Sequence, residues 1–140
     1  MGCYNSIVVD ASADEVWSVL KNFHDLSWST VVNKVEKIGA KNQHEVGAKR
    51  VLNDAFHETL LSIDNTAKKF TYSIDDGPDV VSKDNVDGYI GEVTVFPITN
   101  NNTAFVLWTS SWKAAKKDGV ADFCNPIYHA LLQDLKNHFS

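Results

Sequence analysis

Arginine is almost missing from this chain: of 13 basic residues, only Arg50 is one. Bidentate reading of bases or phosphates needs that planar fork, so the scarcity weighs against it. Acidic residues outnumber basic ones 18 to 13, for a net charge of −5, and a phosphate-neutralising groove is not expected. No apolar run approaches the ~18–20 residues that cross a bilayer. The opening Met1-Gly2-Cys3-Tyr4-Asn5-Ser6 lacks the basic and apolar regions of a secretory signal. It does fit the N-myristoylation pattern at Gly2, with Cys3 as a conceivable second acylation site. Cysteine is also scarce. Cys3 and Cys124 form no CxxC pair; one long-range disulfide or two free thiols are both open, and two cysteines in a domain this size favour reduced thiols and a cytoplasmic setting.

Catalytic signatures are missing as well. There is no HExxH, GxSxG, P-loop or dinucleotide fingerprint. His129 and His138 are nine residues apart, on opposite faces of a helix. His24-Asp25, His44-Glu45 and His57-Glu58 are adjacent pairs whose side chains diverge. Neither a metal site nor a cofactor is expected. Repeats, low-complexity tracts and Pro/Gly/Ser linkers are absent, so residues 1–140 read as one domain.

What is present has a clear order. Ser6 to Val9 is a β-branched run. Ser12 and Glu15 have capping-box spacing, opening a helix with Val16, Trp17, Leu20 and Phe23 on its apolar side. Asp25-Leu26-Ser27-Trp28 predicts a second short helical turn. From Val31 to Trp112 the period becomes two, giving strands near 31–38, 47–52, 56–63, 69–74, 88–98 and 103–112. Asn100 to Asn102 reads as a polar turn although Asn101-Asn102-Thr103 is a glycosylation sequon. The last segment, about 122–139, is a helix with Phe123, Ile127, Tyr128, Leu131, Leu132, Leu135 and Phe139 on one face and Pro126 near its start. The sum is an α+β arrangement: a seven-stranded antiparallel sheet with helices on one face. One long helix does not fill a wide curling sheet, so large side chains plug the remaining volume or a cavity stays.

Alternation assigns the faces. Phe70, Tyr72 and Ile74 point inward, as do Tyr89, Gly91, Val93 and Val95, with Glu92 and Thr94 in water. Val106, Trp108, Ser110 and Trp112 form the inward face of the last strand. Residues 56–63 offer two registers: Phe56, Glu58 and Leu60 inside, or His57, Thr59, Leu61 and Ile63, with a bulge allowing both. Glu58 inside would need a partner or a proton. It is then a ligand-fixing group or an acid/base, or it lies at a wet mouth or bonds to Tyr72 or an indole. Trp28, Phe56, Tyr72, Tyr89, Trp108, Trp112, Phe123 and Tyr128 suit a pocket wall better than a dry core, because Trp and Tyr tips want polar partners.

The run Val9-Asp10-Ala11-Ser12-Ala13-Asp14-Glu15-Val16-Trp17-Ser18-Val19-Leu20 resembles the opening of START-like (SRPBCC) helix-grip proteins, nearest the polyketide cyclase/dehydrase and lipid-transport branch. Trp28, Val46-Gly47-Ala48-Lys49-Arg50, Glu58-Thr59-Leu60-Leu61-Ser62-Ile63-Asp64 and Phe70-Thr71-Tyr72-Ser73-Ile74 extend the likeness over nearly the whole chain. The resemblance implies a sheet wrapped around the C-terminal helix, with two short helices after the first strand. It implies an apolar tunnel between sheet and helix, and it favours Glu58 facing inward. By the same match Tyr72, Ile74, Trp108, Phe123, Ile127 and Leu131 would line the tunnel. Thr59 stands where the family's usual basic residue would be, so an anionic head group has no obvious clamp.

Three functions follow. The first is binding or transport of a small hydrophobic or amphipathic molecule (lipid, polyketide or hormone-like), at Trp28, Phe56, Glu58, Tyr72, Ile74, Tyr89, Trp108, Trp112, Phe123, Ile127 and Leu131. The second is a cyclase or dehydratase without metal, with Glu58 as general base and Tyr72 or Tyr89 as acid. It ranks lower because Glu58 has no evident His or Lys partner in the sequence. The third is a protein-interaction module with a vestigial cavity. No nucleic acid or membrane-spanning segment is expected, and a monomer or a homodimer would serve.

Overall fold

The computed structural model describes residues 1–140. Eleven regular elements follow in chain order: β1 (Gly2–Val9), α1 (Ala13–Leu20), β2 (Val35–Ile38), β3 (Lys49–Leu52), β4 (Phe56–Asp64), β5 (Lys69–Asp76), β6 (Val86–Asp87), β7 (Ile90–Ile98), β8 (Thr103–Ser111), β9 (Ala114–Ala115) and α2 (Val120–His138). Seven strands form one antiparallel sheet in the order β1-β8-β7-β5-β4-β3-β2, and β6 with β9 make a small separate ribbon. The first strand therefore lies beside the last long one. α2 packs across the inner face, which makes this a helix-grip α+β fold. No helix is long and apolar enough to cross a membrane.

Local chemistry explains the elements. The Ser12 hydroxyl accepts the Glu15 N–H at 3.2 Å while the Glu15 carboxylate receives the Ser12 N–H, closing the capping box that starts α1. Ala13, Val16, Trp17 and Leu20 are its buried side. No second helix follows; residues 22–29 form successive turns, with Asp25 N–H on Asn22 O and Ser29 N–H on Leu26 O. β1 is longer than its β-branched half suggests, because pairing with β8 carries Gly2 to Asn5 along. Residues 31–34, expected to be strand, form a loop instead. α2 begins two residues earlier than the sequence suggests, so Pro126 is its seventh residue rather than near its start. There it denies the Asp122 carbonyl its helical N–H.

Pleating sets the inner face largely as expected. Leu60, Phe70, Tyr72, Val93, Val95, Val106 and Trp108 are buried on it, against Tyr128, Leu131, Leu132 and Leu135 of α2. Thr94, assigned to water, is buried between its cross-strand partners Lys69 and Leu107. The register question at 56–63 resolves through a bulge between Leu60 and Ser62. Glu58 and Leu60 face in, the extra residue Leu61 is exposed, and Ile63 returns to pack on the core. Gly91 lies opposite Tyr72, and a Cβ there would sit 2.2 Å from the Tyr72 ring. Only glycine lets that ring lie flat across the neighbouring strand.

Candidate functional site

A cavity of about 140 Å³ lies between the sheet and α2. Fifteen residues wall it, and only Arg50, Asn53 and Glu58 are not hydrophobic. Of the eleven residues expected at the site, Phe56, Glu58, Tyr72, Ile74, Trp108, Ile127 and Leu131 lie on this wall. Four do not. Trp28 borders a separate void of about 10 Å³ with Leu20, Asp25 and Phe70. Tyr89 is buried deeper and stacks on the half-buried Trp112, ring centroids 5.6 Å apart. Phe123 packs on Phe56 at 6.5 Å, one helical turn beyond Ile127. Alternation recovers which way a side chain points, but not how far along the strand the hollow reaches.

The β3–β4 hairpin builds the polar part of the wall. Asn53 and Asp54 both take left-handed φ, near 55°, which Asn and Asp tolerate better than other non-glycine residues. The turn aligns Leu52 with Phe56 and therefore Arg50 with Glu58. Arg50 Nε donates to Glu58 Oε1 at 2.8 Å, and Nη2 stands 2.7 Å from the same oxygen as an ion-pair contact. Arg50 Nη1 donates to the Phe23 carbonyl at 2.8 Å, and the guanidinium carbon stands 3.9 Å from the Phe23 ring centre. The side chains are only 4% and 6% exposed. Glu58 thus has the partner that its sequence neighbours did not reveal: the chain's single arginine. The signal was present, since residues 50 and 58 are equidistant from Asp54. Burial pushes the Glu58 carboxyl above the usual carboxylate range, and the Arg50 guanidinium pulls against that shift.

A tyrosine chain closes the inner end. Trp108 Nε1 donates to the Tyr72 hydroxyl at 2.9 Å, Tyr72 and Tyr128 hydroxyls are 3.2 Å apart, and Tyr128 bonds in turn to Tyr89. Trp108 also packs on Tyr128, with centroids 5.3 Å apart. Burial holds all three phenols well above their ordinary range, so each stays neutral. Tyr128, one of the aromatics expected at a pocket wall, lines the cavity together with Cys124, to which nothing in the sequence pointed. Both cysteines are free and buried, and burial lifts the Cys124 thiol to about 11. Cys3, the conceivable acylation site, faces the core.

At the other end lies a mouth between α2, the β3–β4 turn and the loop after α1, where Leu26, Val31 and Val32 complete the wall. Two side chains hold that loop. Asp134 of α2 accepts the Thr30 N–H at 2.7 Å and the Thr30 hydroxyl at 2.9 Å. Asn53 accepts the Asn33 N–H at 2.8 Å and donates to the Val31 carbonyl at 2.9 Å.

Known proteins carry the same frame. A protein from Nitrosospira multiformis is 38% identical, with a TM-score of 0.95 over 100% of this chain and 97% of its own. The protein XoxI from Bacillus cereus is 20% identical, with a TM-score of 0.80 over 99% of this chain and 94% of its own. A Thermobifida fusca protein is 21% identical, with a TM-score of 0.81 over 99% and 92%. No curated protein matches the chain. The last two likenesses concern the fold alone. The sequence profile described as polyketide cyclase / dehydrase and lipid transport matches residues 3–140. With the helix-grip fold and this match over nearly its full length, the chain belongs to the polyketide cyclase/dehydrase and lipid-transport family of the START-like (SRPBCC) superfamily.

Proposed function

We propose that this chain binds a single small, mainly apolar molecule between sheet and α2 and holds it without transforming it. The observation that carries this reading is the 140 Å³ hollow with twelve hydrophobic wall residues and one buried ion pair. Apolar burial would supply affinity and the ion pair would supply orientation. The volume sets the scale of the guest. Pockets for drug-sized molecules hold roughly 300–1,000 Å³, whereas a dry cavity of ~150 Å³ accepts benzene. A lipid or polyketide would need the mouth to widen first.

Catalysis of the cyclase or dehydratase kind fits less well. Tyr72, the proposed acid, already accepts from Trp108 and is bonded to Tyr128, and burial makes its phenol a poorer proton donor. Glu58 would have to work alone, with its charge engaged by Arg50. The test is thermal denaturation with ring-sized apolar compounds, beside native mass spectrometry of the purified protein. A bound guest at 100 times its Kd raises stability by about 2.7 kcal/mol. Failure of every such compound, and of a hydrophobic dye, to bind the folded protein would leave the interaction-module reading in its place.

A further inference from the structure

We infer that the guest selected by this cavity is a neutral, ring-sized molecule carrying one hydrogen-bond donor, seated on the second carboxylate oxygen of Glu58. This rests on the binding reading above and deepens it. Both Arg50 nitrogens that reach Glu58 meet Oε1, Nε as a donor and Nη2 as an ion-pair contact, and no protein group bonds to Oε2. Ser110 Oγ is the one buried side-chain polar atom both sealed and unpartnered, so Oε2 is not sealed. Because Glu58 is 94% buried and lines the cavity, the space Oε2 opens onto is the cavity itself. An ionised carboxylate oxygen there is a strong acceptor with nothing to accept from.

The hydroxyl and amide groups of the wall are engaged. The Tyr72 hydroxyl takes the Trp108 indole N–H, and Tyr128 is bonded to Tyr72 and Tyr89. The Asn53 amide serves the loop at residues 31–34. Arg50 gives one Nη1 hydrogen to the Phe23 carbonyl, sets Nη2 against Glu58 Oε1 and covers a guanidinium face with the Phe23 ring, so its remaining N–H groups are the donors that compete with Oε2 for a guest. Charge narrows the class further. The pair sums to zero, so an ionic guest gains no net field and loses its hydration. A carboxylate would meet Oε2, and an ammonium would meet Arg50. A neutral O–H or N–H pays neither penalty.

Calorimetric titration of the wild-type protein with phenol, toluene, benzaldehyde and benzoate tests this on one ring size. Phenol is expected to bind about tenfold tighter than toluene, with benzaldehyde no tighter than toluene and benzoate not binding. Toluene equal to phenol overturns the donor rule while leaving the binding reading intact. Benzaldehyde ahead of phenol overturns it, since a proton on Oε2 or a free Arg50 N–H would then hold the guest, and benzoate ahead would make Arg50 the anchor. If none of the four binds, the binding reading falls and takes the donor rule with it. Glu58→Gln, which keeps an oxygen for Arg50 and turns an amide N–H₂ to the guest, is expected to reverse the order in favour of benzaldehyde; retained phenol preference overturns the assignment. Since that substitution also uncouples a buried charge, its fold is checked by circular dichroism, and the wild-type series decides without it.

Discussion

Arg50 and Glu58 are each other's only buried charge partner on the inner face of the sheet, and the asymmetry of such pairs governs what their loss does. Removing one member strands the other in an apolar interior, while replacing both with apolar residues can be neutral or better. Arg50→Met is therefore expected to cost about 3–5 kcal/mol, and Arg50→Met with Glu58→Leu to recover most of it, read from urea midpoints. Additive losses in the double variant would contradict the pairing. Titration gives a second expectation. Burial raises the folded pKa of Glu58, so its contribution is full below the unfolded value of about 4.3 and fades as pH climbs through the folded value. Compared with Glu58→Gln, which does not titrate, wild-type protein should lose relative stability from pH 4 to pH 7. Asp25, whose pKa is lowered by the Ser27 backbone N–H, acts in the opposite sense but equally in both proteins. A gap that moves in favour of wild type as pH rises would refute the assignment.

Elements were legible where local pattern is strong. The capping box of α1, the apolar stripe of α2 and the alternation of Phe70, Tyr72 and Ile74 are all short-range signals, and each matches its observed element. The clearest miss has a tertiary cause: the loop at 31–34 opens on two β-branched valines and reads as strand, yet its amides go to Ser29 Oγ and Asn53 Oδ1 rather than to a ladder. Asn53, together with Asp134 on the adjoining Thr30, makes the loop a strap over the mouth. Asp134→Ala removes the acceptor of the Thr30 amide and hydroxyl, at a cost of about 1 kcal/mol. Hydrogen exchange at Thr30 should quicken and guest release should speed up, with α2 itself unaffected. Unchanged exchange at Thr30 would mean the strap is held elsewhere.

At the scale of the molecule, one cluster of 29 buried residues joins α1, α2 and the sheet, and the cavity is a gap within it rather than a boundary between parts. Unfolding should then be a single transition. Trp17, Trp28 and Trp108 are buried in different parts of that cluster, so tryptophan fluorescence and far-ultraviolet circular dichroism should give one shared midpoint. Two midpoints would show α2 leaving the sheet on its own. The same contiguity explains why the hollow is small. Tyr72, Tyr128, Tyr89 and Trp108 interlock by hydrogen bonds and ring contacts across the inner half of the space, leaving only the half toward the mouth open.

Periodicity and turn chemistry alone determined the element order, the class of fold and which way most strand residues point, because those depend on neighbours a few positions apart. The same information placed Glu58 near the interior but left its register open and its partner unnamed. Tertiary structure decided the rest. The bulge at Leu61 returned Ile63 to the core, the hairpin set Arg50 beside Glu58, and Gly91 made room for Tyr72. The cavity's size and the edge of Glu58 that Arg50 leaves uncovered depend on how far side chains from separate strands and α2 reach toward one another, and no spacing along the chain encodes that distance.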